Sequence, residues 1–179
     1  MCIVIMKKRD ARVSKKQLKE SFDNNPDGAG YLFAKDGNLT IKKGFFVFND
    51  FFDNYSRDMA KFNNPIAIIH FRIATHGLTN KTNCHPHMVN GNLGFSDTLI
   101  FRNDILRGMP KGFIFNESIM ALIEESIGNS KLVFLDKNGN WKIANEYKGH
   151  WNDEDTIWYS NKSYCEVRTT YTNRWVYGH

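Results

Sequence analysis

The sequence predicts an α+β fold with mostly antiparallel sheets. Three observations support this: the order strand, helix, hairpin, helix, strand, helices and hairpin; two strand pairs joined by short Gly-containing turns; and strand-sized apolar runs. The 179 residues, 41% hydrophobic and 14% aromatic, are enough for one domain with its own core. We therefore expect a single domain over residues 1–179.

The first half of the chain supplies most of these elements. The short apolar run at residues 2–6 predicts a buried strand. Ser14 and Gln17 have the spacing of a capping box, which predicts a helix over residues 15–23. The other elements expected here are a hairpin of residues 31–34 and 39–43, a helix over residues 49–62 and a strand over residues 66–71.

The second half is expected to contain two helices and a second hairpin. Ser96 or Asp97 is predicted to cap a helix that ends near Leu106, and residues 93–95 resemble a strand. Asn116 is predicted to cap the next helix. The expected buried face of that helix is Ile119, Met120, Leu122, Ile123 and Ile127. Residues 131–135 and 140–144 form the hairpin, and residues 156–159 a last strand.

Composition limits the class of protein. The 24 basic and 19 acidic residues give a net charge of +5, but the lysines are scattered, so an ordinary solvated surface is favoured over nucleic-acid binding. No apolar run approaches the roughly 20 residues that a membrane helix needs. The N-terminus lacks the order of a signal peptide, and three cysteines do not indicate a disulfide framework. We therefore expect a cytoplasmic protein.

Residues 70–87, HFRIATHGLTNKTNCHPH, hold four of the chain's six histidines together with an arginine and a cysteine. A zinc site is one interpretation, but the segment contains no His-x-x-x-His helix pattern and no Cys-x-x-Cys pair. A second interpretation is that His70 is a core histidine at the end of a strand. We favour a third, a pocket for an amino acid, and expect neither a metal nor another cofactor.

Two charged residues are suited to the two ends of an amino acid. Arg72 directly follows the predicted buried strand, and its planar guanidinium matches a carboxylate. Asp97 is placed to accept an ammonium group. Thr75 and His76 lie in the loop after Arg72, where they could reach the same ligand.

Cys2 is the candidate reactive group. Removal of Met1, which processing permits before a small residue, would give Cys2 both a thiol and a free α-amine. The reference pKa of that amine, about 7.7–8.0, makes it a usable base at neutral pH. The alternative is that residues 1–5 are merely the first core strand.

Together these segments resemble a known family. Met1-Cys2-Ile3-Val4, the Asn25-Pro26-Asp27-Gly28 loop, Arg72-Ile73-Ala74-Thr75-His76-Gly77, Asn83-Cys84-His85-Pro86 and Ser96-Asp97-Thr98 occur in the order found in class II glutamine amidotransferases. The glutaminase domain of that family is an N-terminal-nucleophile hydrolase. The resemblance covers residues 1 to about 106, and the length is similar to that of small stand-alone members carried by bacteriophages.

The resemblance implies a four-layer αββα sandwich and a reaction. In the family, the N-terminal cysteine attacks the side-chain amide of glutamine, releases ammonia and leaves a thioester that water hydrolyses. Cys2 matches this nucleophile, Arg72 the residue that binds the α-carboxylate, and Asp97 the residue that binds the α-ammonium, while Thr75 and His76 match the pocket loop. The implied partners are glutamine and a separate synthetase that uses the ammonia.

One family feature has no clear counterpart. The family's oxyanion hole comes from a His-Asn-Gly segment that precedes the Ser-Asp-Thr motif, and only residues 88–95 lie in that interval here. Asn90 and Gly91 are the candidate pair, although they follow His85 closely. Either a segment is missing between Phe95 and Ser96, or the deletion is real. A real deletion would weaken catalysis and favour an impaired protein that binds an amino acid or another protein on the same fold.

Overall fold

The computed structural model describes residues 1–74, 78–98 and 117–161. The helices are α1 (Lys15–Asn24), α2 (Phe48–Lys61) and α3 (Glu117–Ile127). The strands are β1 (Ile3–Lys7), β2 (Ala29–Lys35), β3 (Asn38–Phe45), β4 (Ala67–Phe71), β5 (His87–Asn90), β6 (Leu93–Asp97), β7 (Leu132–Asp136), β8 (Trp141–Ala144), β9 (His150–Trp151) and β10 (Ile157–Tyr159).

The strands form two antiparallel sheets. The first has the order β3-β2-β4-β1-β10-β9, and the second has the order β5-β6-β7-β8. In the first sheet β1 lies between β4 and β10, with Ile3 opposite Phe71 and Ile5 opposite Tyr159. The N-terminal strand is therefore paired on both sides, and this fixes the position of the residue that precedes it.

Three apolar clusters show how the layers stack. The cluster between the helices α1 and α2 and the first sheet includes Leu18, Phe51 and Ile69. The cluster between the two sheets joins Val4 and Ile68 to Val133, and the cluster between the second sheet and α3 includes Phe95, Ile123 and Phe134. The order helix, sheet, sheet, helix is the four-layer αββα sandwich that the resemblance implied.

Local sequence signals explain why the first elements form where they do. The Ser14 side chain accepts a hydrogen bond from the Gln17 backbone, and the Gln17 side chain accepts one from the Ser14 backbone, so the predicted capping box is confirmed. Asp36 and Gly37 join β2 to β3, both with positive φ, as a two-residue hairpin turn requires. The predicted strand, helix and hairpin boundaries in this half differ from the observed ones by at most two residues.

The predicted helix cap at Ser96 or Asp97 is wrong. Both residues belong to β6, where Ser96 lies opposite Val133 and Asp97 opposite Leu132. Their backbone groups are thus used by the sheet and cannot begin a helix. The rest of that predicted helix, and the predicted cap Asn116, lie outside the described residues. Strand β6 is continuous through Phe95 and Ser96.

One strand was not predicted from the sequence, and one side chain expected to be buried is exposed. The unpredicted strand is β5, which pairs with β6 across a tight turn that follows Asn90. On α3, Met120 and Ile123 are buried as expected, but Leu122 is 65% exposed because the helix presents a narrower face to the second sheet. Within the described part of the chain, no helix is long and apolar enough to cross a membrane.

A buried lysine makes the stability of this fold depend on pH. Lys7 is fully buried in β1, its Nζ donates to the Pro65 carbonyl at 2.5 Å, and burial lowers its pKa to about 8. Between pH 8 and the unfolded pKa of about 10.4, the unfolded chain binds more protons than the folded chain, so stability rises with pH. The expected gain from Lys7 is at most about 3 kcal/mol.

Chemical denaturation of the wild type and of Lys7→Met at several pH values tests whether Lys7 causes this pH dependence of stability. The free energy of unfolding of the wild type should rise relative to that of Lys7→Met between pH 8 and 10. The exposed Lys16 provides the matched control as Lys16→Met. An equal pH dependence for Lys7→Met and the wild type would contradict the assignment.

Candidate active site

Cys2 lies at the start of β1, where the sheet register brings Arg72 beside it. Ile3 is opposite Phe71, so the residues just outside this pair, Cys2 and Arg72, are neighbours at the same end of the sheet. Cys2 is partly exposed and Arg72 is 6% exposed. The Cys2 Sγ lies 3.7 Å from the Ile73 carbonyl oxygen. The thiol therefore faces the chain segment that leaves β4.

The Asn25–Gly28 loop fixes that segment. The Asp27 backbone N–H donates to the Arg72 carbonyl at 3.1 Å, and the Arg72 N–H donates to the Gly28 carbonyl at 2.8 Å. The Asp27 carboxylate accepts from the Ala74 N–H at 2.7 Å. Gly28 has a φ of 128°, and a Cβ atom there would collide with the Cys84 sulfur, so a side chain does not fit. The loop thus positions Arg72 by hydrogen bonds to both its backbone N–H and its backbone carbonyl.

The end of β6 closes the site from the second sheet. The Cys2 backbone N–H donates to the Thr98 carbonyl at 3.2 Å, and Thr98 is held in turn by Lys131, whose N–H donates to the Thr98 Oγ1 at 3.1 Å. Asp97, directly before Thr98, is 1% exposed. The Asp97 carbonyl lies 3.1 Å from the Nε2 of His70 on β4, which links the two sheets at this point.

The two charges act on the thiol in opposite directions. Burial raises the pKa of the Cys2 thiol above its ordinary value, and the Asp97 carboxylate raises it further, while the Arg72 guanidinium lowers it. A raised pKa leaves less thiolate at neutral pH, so the nucleophile needs a base to accept its proton. The sheet register places Arg72 next to Cys2, and Asp97 directly precedes Thr98, whose carbonyl accepts the Cys2 N–H, so both charged residues come from chain segments that adjoin Cys2.

The histidines next to the site are neutral. His70 and His85 stack with their ring centroids 4.8 Å apart, and burial lowers the pKa of His70 to about 3 and that of His85 well below its usual value. The 4.0 Å approach of the His85 Nε2 to the Asp97 carboxylate is therefore not an ion pair at neutral pH. Burial also lowers the pKa of His87, to about 4. Because their pKa values are low, these imidazole rings are weak bases, and we assign them no role as general bases at neutral pH.

Metal ligation was the alternative interpretation of these histidines. Among residues 1–74, 78–98 and 117–161, no group of three or more His, Cys, Asp or Glu side chains is arranged to hold a metal ion. His70 is fully buried at the end of β4, as the core interpretation required.

The structure brings together only part of the predicted site. Cys2, Arg72 and Asp97 converge, whereas Thr75 and His76 lie outside the described residues. Asn90 and Gly91 form the turn between β5 and β6, and the Asn90 carboxamide oxygen accepts a hydrogen bond from the backbone of residue 92.

The turn is remote from the thiol. Cys2 contacts the opposite end of β6, and the extended strand Leu93–Asp97 spans roughly 13 Å. The structure therefore does not place Asn90 and Gly91 at the thiol, and the predicted oxyanion pair is corrected on this ground.

Two residues of the Asn25–Gly28 loop were recognised from the sequence only as part of a motif. Asp27 holds the Ala74 amide, and Asn25, which is fully buried, donates from Nδ2 to the carbonyls of Met1 and Phe71 at 3.0 and 3.2 Å. Polar residues beside a proline usually indicate a solvated turn. In the sequence, only the place of this loop in the family motif connected Asn25 and Asp27 with the site.

Comparisons with known proteins support the same fold. No protein-family model matches the chain. The glutamine–fructose-6-phosphate aminotransferase of Buchnera aphidicola is 30% identical over an alignment of 104 residues, which covers 44% of this chain and 17% of the relative. A solved structure of glutamine phosphoribosylpyrophosphate amidotransferase from B. subtilis, complexed with ADP and GMP, matches 89% of this chain and 41% of its own, with a TM-score of 0.50 and 16% identity.

This is the fold of the N-terminal-nucleophile glutamine amidotransferases. The chain also resembles these class II amidotransferases in sequence. It spans less than half the length of either relative. In the amidotransferase fold described here, the first strand lies in the middle of a sheet, and Cys2 therefore sits on a rigid element with Arg72 and Asp97 beside it.

Replacing Asp97 tests the electrostatics of the site around Cys2. Asp97→Asn removes a charge that raises the Cys2 pKa, so the thiol should titrate at a lower pH. The measurement is the pH dependence of Cys2 alkylation by iodoacetamide, followed by peptide mass spectrometry. Asp23→Asn on the exposed face of α1 is the control. A midpoint that does not move, or moves equally in the control, would show that Asp97 does not act on the thiol.

Proposed function

We propose that the protein is a glutamine amidotransferase domain whose nucleophile is Cys2. The observation that carries this proposal is the convergence of three groups: the residue at the start of β1, an arginine from the first sheet and a buried aspartate from the second. A zwitterionic amino acid needs one cation and one anion at its head group. Arg72 and Asp97 supply these beside a thiol, which is the arrangement that glutamine hydrolysis requires.

The roles follow from the chemistry of each group. Arg72 binds the α-carboxylate, for which its planar fork of N–H donors is suited, and Asp97 binds the α-ammonium. Thr75 and His76, which the resemblance assigns to the pocket loop, lie outside the described residues and keep that role as part of the proposal. The glutamine side chain then extends from this head-group site toward the Cys2 sulfur.

The reaction begins when Met1 is removed. The free α-amine of Cys2 accepts the thiol proton while the sulfur forms a bond to the side-chain amide carbon of glutamine. The carbon–nitrogen bond breaks, the amine returns the proton to the leaving nitrogen, and ammonia departs. Water then hydrolyses the glutamyl thioester to glutamate and restores the thiol. No cofactor takes part in these steps.

A separate synthetase is the proposed consumer of the ammonia. Both relatives are larger than this chain, and their names pair glutamine with a second substrate, fructose 6-phosphate in one and phosphoribosylpyrophosphate in the other. We assign the release of ammonia to residues 1–179, proposed as a single domain, and the acceptor chemistry to a separate synthetase.

A second candidate function rests on the same site. The Asp97 carboxylate stands beside the thiol, where a negative charge opposes the oxyanion that develops during attack, and Asn90 and Gly91 are at the far end of β6. Loss of an oxyanion donor typically lowers the rate on the order of 10²–10³-fold. This favours, as the alternative, an impaired amidotransferase that binds an amino acid or a protein tail without turnover.

Two measurements on one preparation separate these functions. Protein beginning at Cys2, made by cleaving an N-terminal fusion, is assayed for glutamate and ammonia production and for glutamine binding by calorimetry. The amidotransferase proposal predicts both binding and turnover, with turnover lost in protein that keeps Met1. Binding without turnover would support the alternative, and the absence of both would overturn the two proposals together.

A further inference from the structure

Asn25 has an unusual position for a loop residue. It directly follows the last residue of α1, is fully buried, and lies against the two chain segments that meet at the nucleophile. Its Nδ2 donates to the Met1 carbonyl at 3.0 Å and to the Phe71 carbonyl at 3.2 Å. Because both neighbours are acceptors, they fix which end of the amide is the NH₂ group.

The other end of this amide has no partner among the described residues. The Asn25 Oδ1 is buried and accepts no hydrogen bond from residues 1–74, 78–98 or 117–161. An unsatisfied buried acceptor usually costs about 1–3 kcal/mol, so such a group needs an explanation.

Removal of Met1 supplies that donor. Across the shared peptide bond the Met1 oxygen lies ~2.2 Å from the Cys2 nitrogen, so the Asn25 Nδ2 is within roughly 5.2 Å of that nitrogen. Cleavage takes away the Met1 carbonyl and turns the Cys2 amide into an amine with additional N–H donors. Thr98 accepts one of them at its carbonyl. Rotation of the Asn25 amide about its terminal bond then brings Oδ1 toward the others, and Nδ2 gives up its hydrogen bond to the Phe71 carbonyl.

We infer that Asn25 is a positioning residue: after Met1 is removed, its side-chain carbonyl accepts a hydrogen bond from the α-amine of Cys2. Asn25 and the Thr98 carbonyl then hold the amine from two sides, so that it stays beside the thiol. This inference rests on the proposed function, because it gives that amine its orientation as the base. It also gives the buried Asn25 Oδ1 a hydrogen-bond donor, which the described residues alone do not.

The test measures the amine directly and needs no turnover of glutamine. Protein beginning at residue 2 is prepared in a Cys2→Ala background, so that no thiol titrates at that position. The α-amine is followed by the pH dependence of the ¹³C methyl shift of residue 2. Asn25→Asp should raise the amine pKa by about one unit, since a carboxylate at hydrogen-bond distance favours the ammonium form.

The neighbouring Asn24 is the matched control. It is exposed, and its Nδ2 donates to the Glu20 carbonyl at 2.9 Å, so Asn24→Asp adds the same charge one residue away. An amine pKa that moves no more in Asn25→Asp than in Asn24→Asp would overturn the inference. The glutaminase proposal would be unaffected by that result, because turnover by the wild type is a separate measurement.

If Asn25→Asp does not fold, the inference is tested on the wild-type protein instead. In protein beginning at Cys2, the side-chain NH₂ resonances of Asn25 should shift with the midpoint of the Cys2 amine titration. In protein that keeps Met1, they should not follow that titration. Identical, pH-independent resonances in both forms would contradict a contact between Asn25 and the amine.

Discussion

Replacing Cys2 by alanine is expected to abolish glutamine hydrolysis by protein that begins at residue 2. The loss in kcat/KM should be roughly 10³-fold or more, because the sulfur forms the covalent intermediate and no other group in the site can replace it. Stability should change little, since Cys2 precedes β1 and is partly exposed. Glutamate production and the thermal unfolding midpoint are the two measurements.

Cys84 offers the matched control. It is a buried free cysteine whose sulfur lies 3.4 Å from the Asn80 carbonyl oxygen, and the proposal gives it no chemical role. Cys84→Ser should therefore keep glutaminase activity. Equal losses of glutaminase activity in the Cys2 and Cys84 variants would contradict the assignment of Cys2 as the nucleophile. Full activity in Cys2→Ala would contradict it as well.

Replacing Arg72 by lysine is expected to have the second-largest effect, a rise in KM for glutamine of about 10- to 100-fold. A lysine keeps the positive charge but cannot bind a carboxylate through two parallel N–H groups, and charge-assisted hydrogen bonds contribute about 1.5–3 kcal/mol. One guanidinium nitrogen, Nη1, donates to the Leu78 carbonyl at 3.2 Å and keeps the side chain in place. The lysine variant loses this orientation as well.

Steady-state kinetics with glutamine measure this effect. The matched control is Arg57→Lys on the exposed side of α2, where KM should remain that of the wild type. An unchanged KM in Arg72→Lys would show that the carboxylate is bound elsewhere. A fall in kcat without any change in KM would assign Arg72 to the chemical step instead of to recognition.

The first half of the fold was accessible from sequence because its signals are local. A capping box at Ser14, a Gly-containing turn after Asp36 and an apolar strand before Arg72 each specify their structure within a few residues. Burial does not fix the register of β4, because this strand is buried on both faces. The neighbourhood of Cys2 and Arg72 was therefore expected only from the resemblance to the family.

The second sheet was harder to predict because tertiary pairing overrides local preference. Ser96 and Asp97 have the composition of a helix cap, yet their backbones pair with β7, and the partner strand lies more than 30 residues later. The short hairpin at Asn90 also left too few residues for a recognisable pattern. Composition likewise could not show that Asn25 is buried, since a polar loop residue looks the same whether solvated or enclosed.

The most direct test of the account is to locate the covalent adduct formed by a glutamine-like diazo-ketone. Protein that begins at residue 2 is treated with the reagent, digested, and analysed by peptide mass spectrometry, with excess glutamine as competitor. The account predicts one adduct, on Cys2, which glutamine suppresses and which Arg72→Lys slows. Labelling of Cys84 or Cys165 in place of Cys2, or labelling of Cys2 that glutamine does not suppress, would contradict it.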